Sequence, residues 1–154
     1  MIMLLLLNFA HAQYPDKALT PGVIDCTLTT RYLCSHSTKE RRNVTTAMKK
    51  AVCESYGGNC SPGGQEIDHF VPLTLGGKND VKNLWPEPYT PTPGAHEKDA
   101  LEMYLHLAVC SSRTSLYDAQ EAIRNDWVKA WKLMKAKKPL APKPSGKVPR
   151  RCRP

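Results

Sequence analysis

The chain has 154 residues and a formal charge of +8, a length that suits one domain with a modest core and excludes two separate cores. The charge is uneven: ten Lys or Arg and no Asp or Glu lie from Lys129 onward, leaving 12 basic against 14 acidic residues before it. The body is therefore slightly acidic, and the basic character belongs to a C-terminal block. That block can neutralise phosphates without reading sequence, or simply keep a tail in solution.

The opening "MIMLLLLNFAHA" has an apolar run from Met1 to Leu7 and closes on Ala10-His11-Ala12, an A-x-A cleavage pattern before Gln13. It reads as a secretory signal peptide over residues 1–12, although no Lys or Arg precedes the apolar run. The run is too short for a transmembrane helix, which needs about 20 apolar residues. A secreted or periplasmic location, with no stable membrane association after processing, is the expectation. The cysteines agree, because Cys26, Cys34, Cys53, Cys60, Cys110 and Cys152 contain no C-x-x-C pair and an even count suits disulfides in an oxidising compartment. Cys53 with Cys60 can close a short loop, and Cys34 with Cys110 can tie the two halves together.

Residues 13–34 mix turn formers with short β-prone pieces, which predicts an irregular lead-in with one short strand. Residues 37–56 carry Val44, Ala47 or Met48, Ala51 or Val52, and Ser55 at helical spacing, with Ser37 or Thr38 as the cap and Gly57-Gly58 as the stop. That pattern predicts a helix. "QEIDHFVPL" and the segment around "VKNLW" read as two short strands joined by a Gly-Gly loop, with Pro72 ending regular pairing. The Pro-rich "WPEPYTPTPG" predicts a rigid loop leading to a helix near Ala95. Residues 115–136 then repeat Leu116, Ala119, Ile123, Trp127, Ala130 or Trp131 and Met134 behind a Ser115–Asp118 capping box, an amphipathic helix with its tryptophans as core anchors. The expected fold class is α+β. The expected organisation is a signal peptide at 1–12, a domain at 13–136, and a basic Pro-rich tail at 137–154 that is disordered unless Cys152 pins it.

Polar residues of catalytic type gather in the middle of the chain. Asp68 and His69 sit together on the first strand, Asn83 on the second and His96 at the start of the following helix, with thirteen and then twelve residues between His69, Asn83 and His96. Each has a structural alternative: Asp68 as a salt-bridged carboxylate, His69 as a satisfied core histidine, Asn83 as a turn residue. Because neighbours in a regular strand point to opposite faces, Asp68 and His69 can serve one site only if the strand ends or bends there. His11, His36 and His106 have no supporting context.

The order Asp-His, Asn, His, with Pro72, Leu73, Gly76, Gly77, Leu84 and Lys98 around it, resembles the HNH endonucleases over residues 65–100. It is similar in particular to the small exported bacterial type. The resemblance implies a ββα-metal core at about 65–108 and hydrolysis of phosphodiester bonds in DNA, with RNA as the alternative, at limited sequence specificity. It also implies roles for the residues. His69 would be the general base, Asp68 and His96 the ligands of one divalent cation, and Asn83 the brace of the His69 ring or of the local loop. Lys98 would contact nucleic-acid phosphate or simply be solvated; by period two Glu66 lies on the same strand side as Asp68, where it either orients a ligand or forms a structural salt bridge. Imidazole is a suitable base near neutrality, and a divalent cation offsets charge developing at phosphorus. One carboxylate with one or two imidazoles suits Mg²⁺, Mn²⁺ or Zn²⁺, with Mg²⁺ favoured by the carboxylate. Glu97 and Asp99 are further oxygen donors beside His96. The rival expectation is a non-catalytic secreted protein that binds nucleic acid, or a disulfide-stapled interaction protein.

Overall fold

The computed structural model describes residues 13–61 and 63–140. The expected signal peptide, Cys152 and all of the expected tail beyond Leu140 lie outside the described residues. The fold is α+β: helices α1 (Thr30–Ser35) and α2 (Thr46–Ser55), strands β1 (Gln65–His69) and β2 (Leu84–Pro88), then helices α3 (Ala95–Cys110) and α4 (Leu116–Lys135).

The lead-in holds a helix, α1, where a strand was expected; its only β-type pairing is an isolated bridge from Ile24 to Gly77. The helix expected over 37–56 is shorter. Ser37 caps only a 3₁₀ turn at Thr38–Glu40, and Thr45 accepts from Met48 N–H to start α2. Gly57 and Gly58 end it at φ 94° and 77°, backbone that glycine adopts without a Cβ penalty.

Strands β1 and β2 pair antiparallel, Glu66 opposite Glu87 and Asp68 opposite Trp85. Phe70 N–H donates to Asn83 O at 2.7 Å and Tyr89 N–H to Gly64 O at 3.1 Å. By the alternation of an antiparallel ladder, the hydrogen-bonded pairs fall on even residues of β1 and odd residues of β2. Pro86 and Pro88 fall between them and need donate nothing to β1. This explains how a segment expected to be a Pro-rich loop from Trp85 onward forms a strand up to Pro88. Register and pleat also put Glu66, Asp68, Trp85 and Glu87 on one face, and α3 packs there.

The core joins Phe70, Val71, Leu75 and Trp85 to Leu101, Leu105 and Val109 of α3 and to Ala119, Ile123 and Trp127 of α4. Trp127 is buried and Trp131 packs partly buried against the same cluster, as expected of core anchors. Ser115 accepts from Asp118 N–H to cap α4, while its hydroxyl donates to Asp118 Oδ2. The helix is not continuous: Asp126 is extended at φ −164°, ψ 83°. Its Oδ1 accepts from Lys129 N–H at 2.8 Å and from the Tyr14 hydroxyl at 2.6 Å, so it caps a second helical segment. Disulfides join Cys34 to Cys110 and Cys53 to Cys60, both expected pairings.

Candidate active site

Strand β1 ends at His69, and there the side chains of Asp68 and His69 converge, with His69 Nδ1 3.8 Å from Asp68 Oδ1. The conflict between strand pleat and a shared site is thus met by ending the strand. Beyond it, the buried Asn83 holds the turn. Its Oδ1 accepts from Val71 N–H, and its Nδ2 donates to Val71 O and to Lys78 O, all at 2.9–3.0 Å. The bracket works only around glycine, since a Cβ on Gly77 would lie 1.8 Å from Val71 O and 2.7 Å from Asn83 Nδ2. Asn83 stands in a 3₁₀ turn just before β2 rather than on the strand. Of the two expected roles it fills the second, bracing the loop.

Asn79, a residue the sequence reading passed over, meets the His69 ring: its Oδ1 lies 3.1 Å from His69 Nε2. The motif "GGKND" marks the turn, but nothing in it says which polar side chain folds back. His69 itself is buried, at 1% exposure.

Helix α3 presents Lys98 and Glu102, one turn apart, to the strand face. The Lys98 ammonium reaches Asp68 Oδ2 at 3.2 Å, Glu87 Oε2 at 3.1 Å, Glu102 Oε1 and the carbonyl of His69 at 2.9 Å. It is 0% exposed, which corrects the expectation that Lys98 meets a phosphate. Its protons are directed to groups inside the protein, where they pin α3 to the end of β1.

Around this one cation stand five carboxylates. Burial would raise the Asp68 carboxyl, but the Lys98 ammonium, the largest lowering influence, holds it well below its ordinary range. Burial lifts Glu87 to about 8 and Glu102 to about 7; the pull of Lys98 is shared among three acids, and the charge of Asp68 pushes both upward. Asp99 and Glu66 are also raised, first by burial and then by Asp68. Glu66 therefore belongs electrostatically to the acidic group. The three carboxylate groups of Asp68, Asp99 and Glu102 each offer an oxygen within 4.8 Å of the others. Glu87 Oε1, also buried, has no hydrogen-bond partner.

His96 does not join that set. At about 100° per helical residue it lies roughly 160° around α3 from Lys98 but only about 60° from Asp99, on which it acts electrostatically; it is exposed, with its ring 5.1 Å from that of Tyr89. The carboxylates grouped with Asp68 are those of Asp99 and Glu102, and Asp99 is one of the two oxygen donors expected beside His96. Glu97 is used otherwise: its Oε2 accepts from Gly94 N–H at 2.8 Å and caps α3. Asp68, Asp99 and Glu102 are the carboxylates that could hold a cation, oxygen donors of the kind hard divalent ions take, and Lys98 already pairs with Asp68 and Glu102.

No protein-family model, curated protein or solved structure matches this chain. Two disulfides fit an oxidising compartment, and among the described residues no helix is long and apolar enough to cross a membrane.

Proposed function

We propose that the protein is an exported, metal-dependent endonuclease of HNH type that hydrolyses phosphodiester bonds of DNA with limited sequence specificity. The observation that carries this reading is the meeting of Asp68 and His69 at the end of β1, with Nδ1 3.8 Å from Oδ1, opposite the carboxylates of α3. The order β1, β2, α3 supports it, because two strands and a helix bring these residues together from distant parts of the sequence.

His69 takes a proton from the attacking water at Nδ1, and the Asp68 carboxylate beside that edge stabilises the imidazolium formed. The ring is buried, so the water must be one held within the acidic pocket rather than in bulk solvent. As the new P–O bond forms, the bond to the leaving sugar oxygen breaks and that oxygen is protonated from solvent. Asp68, Asp99 and Glu102 would hold the cation, which when bound supplies positive charge against the developing phosphoryl charge. Asn83 keeps the loop beyond His69 in place, and Lys98 keeps Asp68 ionised and oriented. The basic block from Lys129 offers phosphate contacts that do not read sequence.

A second reading, a nucleic-acid-binding protein without turnover, is favoured by the 1% exposure of His69. Plasmid nicking by the mature chain with Mg²⁺, Mn²⁺ or EDTA separates the two. The endonuclease reading expects metal-dependent nicking that falls at least about 10²-fold in His69→Ala. Equal cutting by both proteins would sink the mechanism, and DNA binding without cutting under any ion would favour the second reading.

A further inference from the structure

We propose that Asn79 is the positioning residue for His69, holding the ring as its Nε2–H tautomer so that Nδ1, the edge facing Asp68, is the bare nitrogen. The role as a brace for a general base rests on the endonuclease reading; the tautomer does not.

The tautomer follows from which atoms can only donate or only accept. Asn43 N–H, a backbone donor, points at Asn79 Oδ1 at 3.1 Å, and Arg41 O, a backbone acceptor, receives Asn79 Nδ2 at 2.6 Å. These two partners fix which end of the amide is oxygen. His69 Nε2 lies 3.1 Å from that oxygen, so Nε2 must carry a proton, and the neutral ring has its lone pair at Nδ1. On the other edge Nδ1 stands 3.8 Å from Asp68 Oδ1, too far for a direct hydrogen bond to hold a proton there. Asn83, the expected candidate for holding the ring, has its amide engaged by Val71 and Lys78. Asn79 thus ties the 41–43 segment to the His69 ring, a connection between two parts of the chain that no local pattern announces.

The tautomer can be read directly in the full, disulfide-bonded chain labelled with ¹⁵N-histidine, by long-range ¹H–¹⁵N correlation at roughly pH 8.5, where an ordinary imidazole is neutral. We expect protonated Nε2 and bare Nδ1 for His69. Asn79→Leu should lose that signature and lower kcat for plasmid nicking about 10–100-fold with KM unchanged. Asn79→Asp retains the acceptor oxygen and should keep the Nε2–H signature. A wild-type ring protonated at Nδ1, or an Nε2–H signature that persists in Asn79→Leu, overturns the proposal. If Asn79→Leu fails to fold, the wild-type and Asn79→Asp spectra decide it. If the signature behaves as expected but no protein nicks DNA with Mg²⁺ or Mn²⁺, the endonuclease reading fails while the tautomer assignment stands.

Discussion

Three carboxylates and one carbonyl share the ammonium of Lys98, and removing that cation leaves acids facing each other away from water. Breaking a buried ion pair by deleting one partner costs about 3–5 kcal/mol, so Lys98→Met should lower urea stability by about that much. A loss below about 1 kcal/mol would show that the ammonium is not what offsets the acids. The reading of Lys98 as a surface residue follows the usual behaviour of lysine, which is seldom fully buried unless paired. Its pairing was legible in part: Glu102 stands four residues on, but Asp68 and Glu87 become neighbours only when the strands pair.

The same cluster sets a pH dependence. Glu87 at about 8 and Glu102 at about 7 lie above the ordinary carboxyl value of 4.5. Groups raised on folding bind more protons folded than unfolded, so their contribution is present below about pH 4.5 and is lost as pH rises through 7 to 8. In EDTA this contribution should make the protein less stable at pH 8.5 than at pH 6. Added Mg²⁺ or Mn²⁺ should raise Tm more at pH 8.5, because a cation needs the acids deprotonated. Thermal melts at the two pH values check this, and an equal cation shift at both would count against a carboxylate site.

At the scale of elements, the helix expected to start from Ser37 or Thr38 begins instead behind Thr45. Ser37 caps a single 3₁₀ turn, whereas Thr45 caps α2. Thr45→Ala should therefore cost about 1 kcal/mol and Ser37→Ala within about 0.5 kcal/mol in urea unfolding. Equal losses would mean the helix begins where the periodicity first suggested. The choice was hidden because Ser, Thr, Asp and Asn form both turns and caps, and only packing decides between them. Asp126 shows the same ambiguity in α4: its apolar periodicity runs straight through, while Asp126 turns out of the helix to meet Tyr14 and cap the next segment. Strand β2 was obscured by its prolines, which read as breakers until pairing shows that their nitrogens face away from β1.

At the scale of the molecule, two disulfides act on very different loops. Cys34–Cys110 spans 76 residues and Cys53–Cys60 spans 7. Loop-closure entropy gives about 4.5 kcal/mol for the first and about 2.5 kcal/mol for the second. The double variant Cys34→Ser, Cys110→Ser should thus lose more stability than Cys53→Ser, Cys60→Ser, as read by urea midpoints. The reverse order would place the main constraint in the short loop. Spacing allowed both pairings without selecting them from the 15 that six cysteines permit, and the long one ties α1 to the end of α3.

By itself the sequence determined the α+β class, the β1 and β2 segments about a Gly-Gly turn, the amphipathic face of α4 and the placing of Asp68 and His69 where the first strand ends. These depend on periodicity, turn chemistry and motif order, all local properties. Tertiary structure alone decided which side chains meet: Lys98 inward instead of outward, Asp99 and Glu102 beside Asp68 in place of His96, and Asn79 rather than Asn83 on the His69 ring. The physical reason is that these contacts join residues 10 to 34 positions apart in the chain. Their partners are chosen by strand register and helix rotation, neither of which a local pattern encodes.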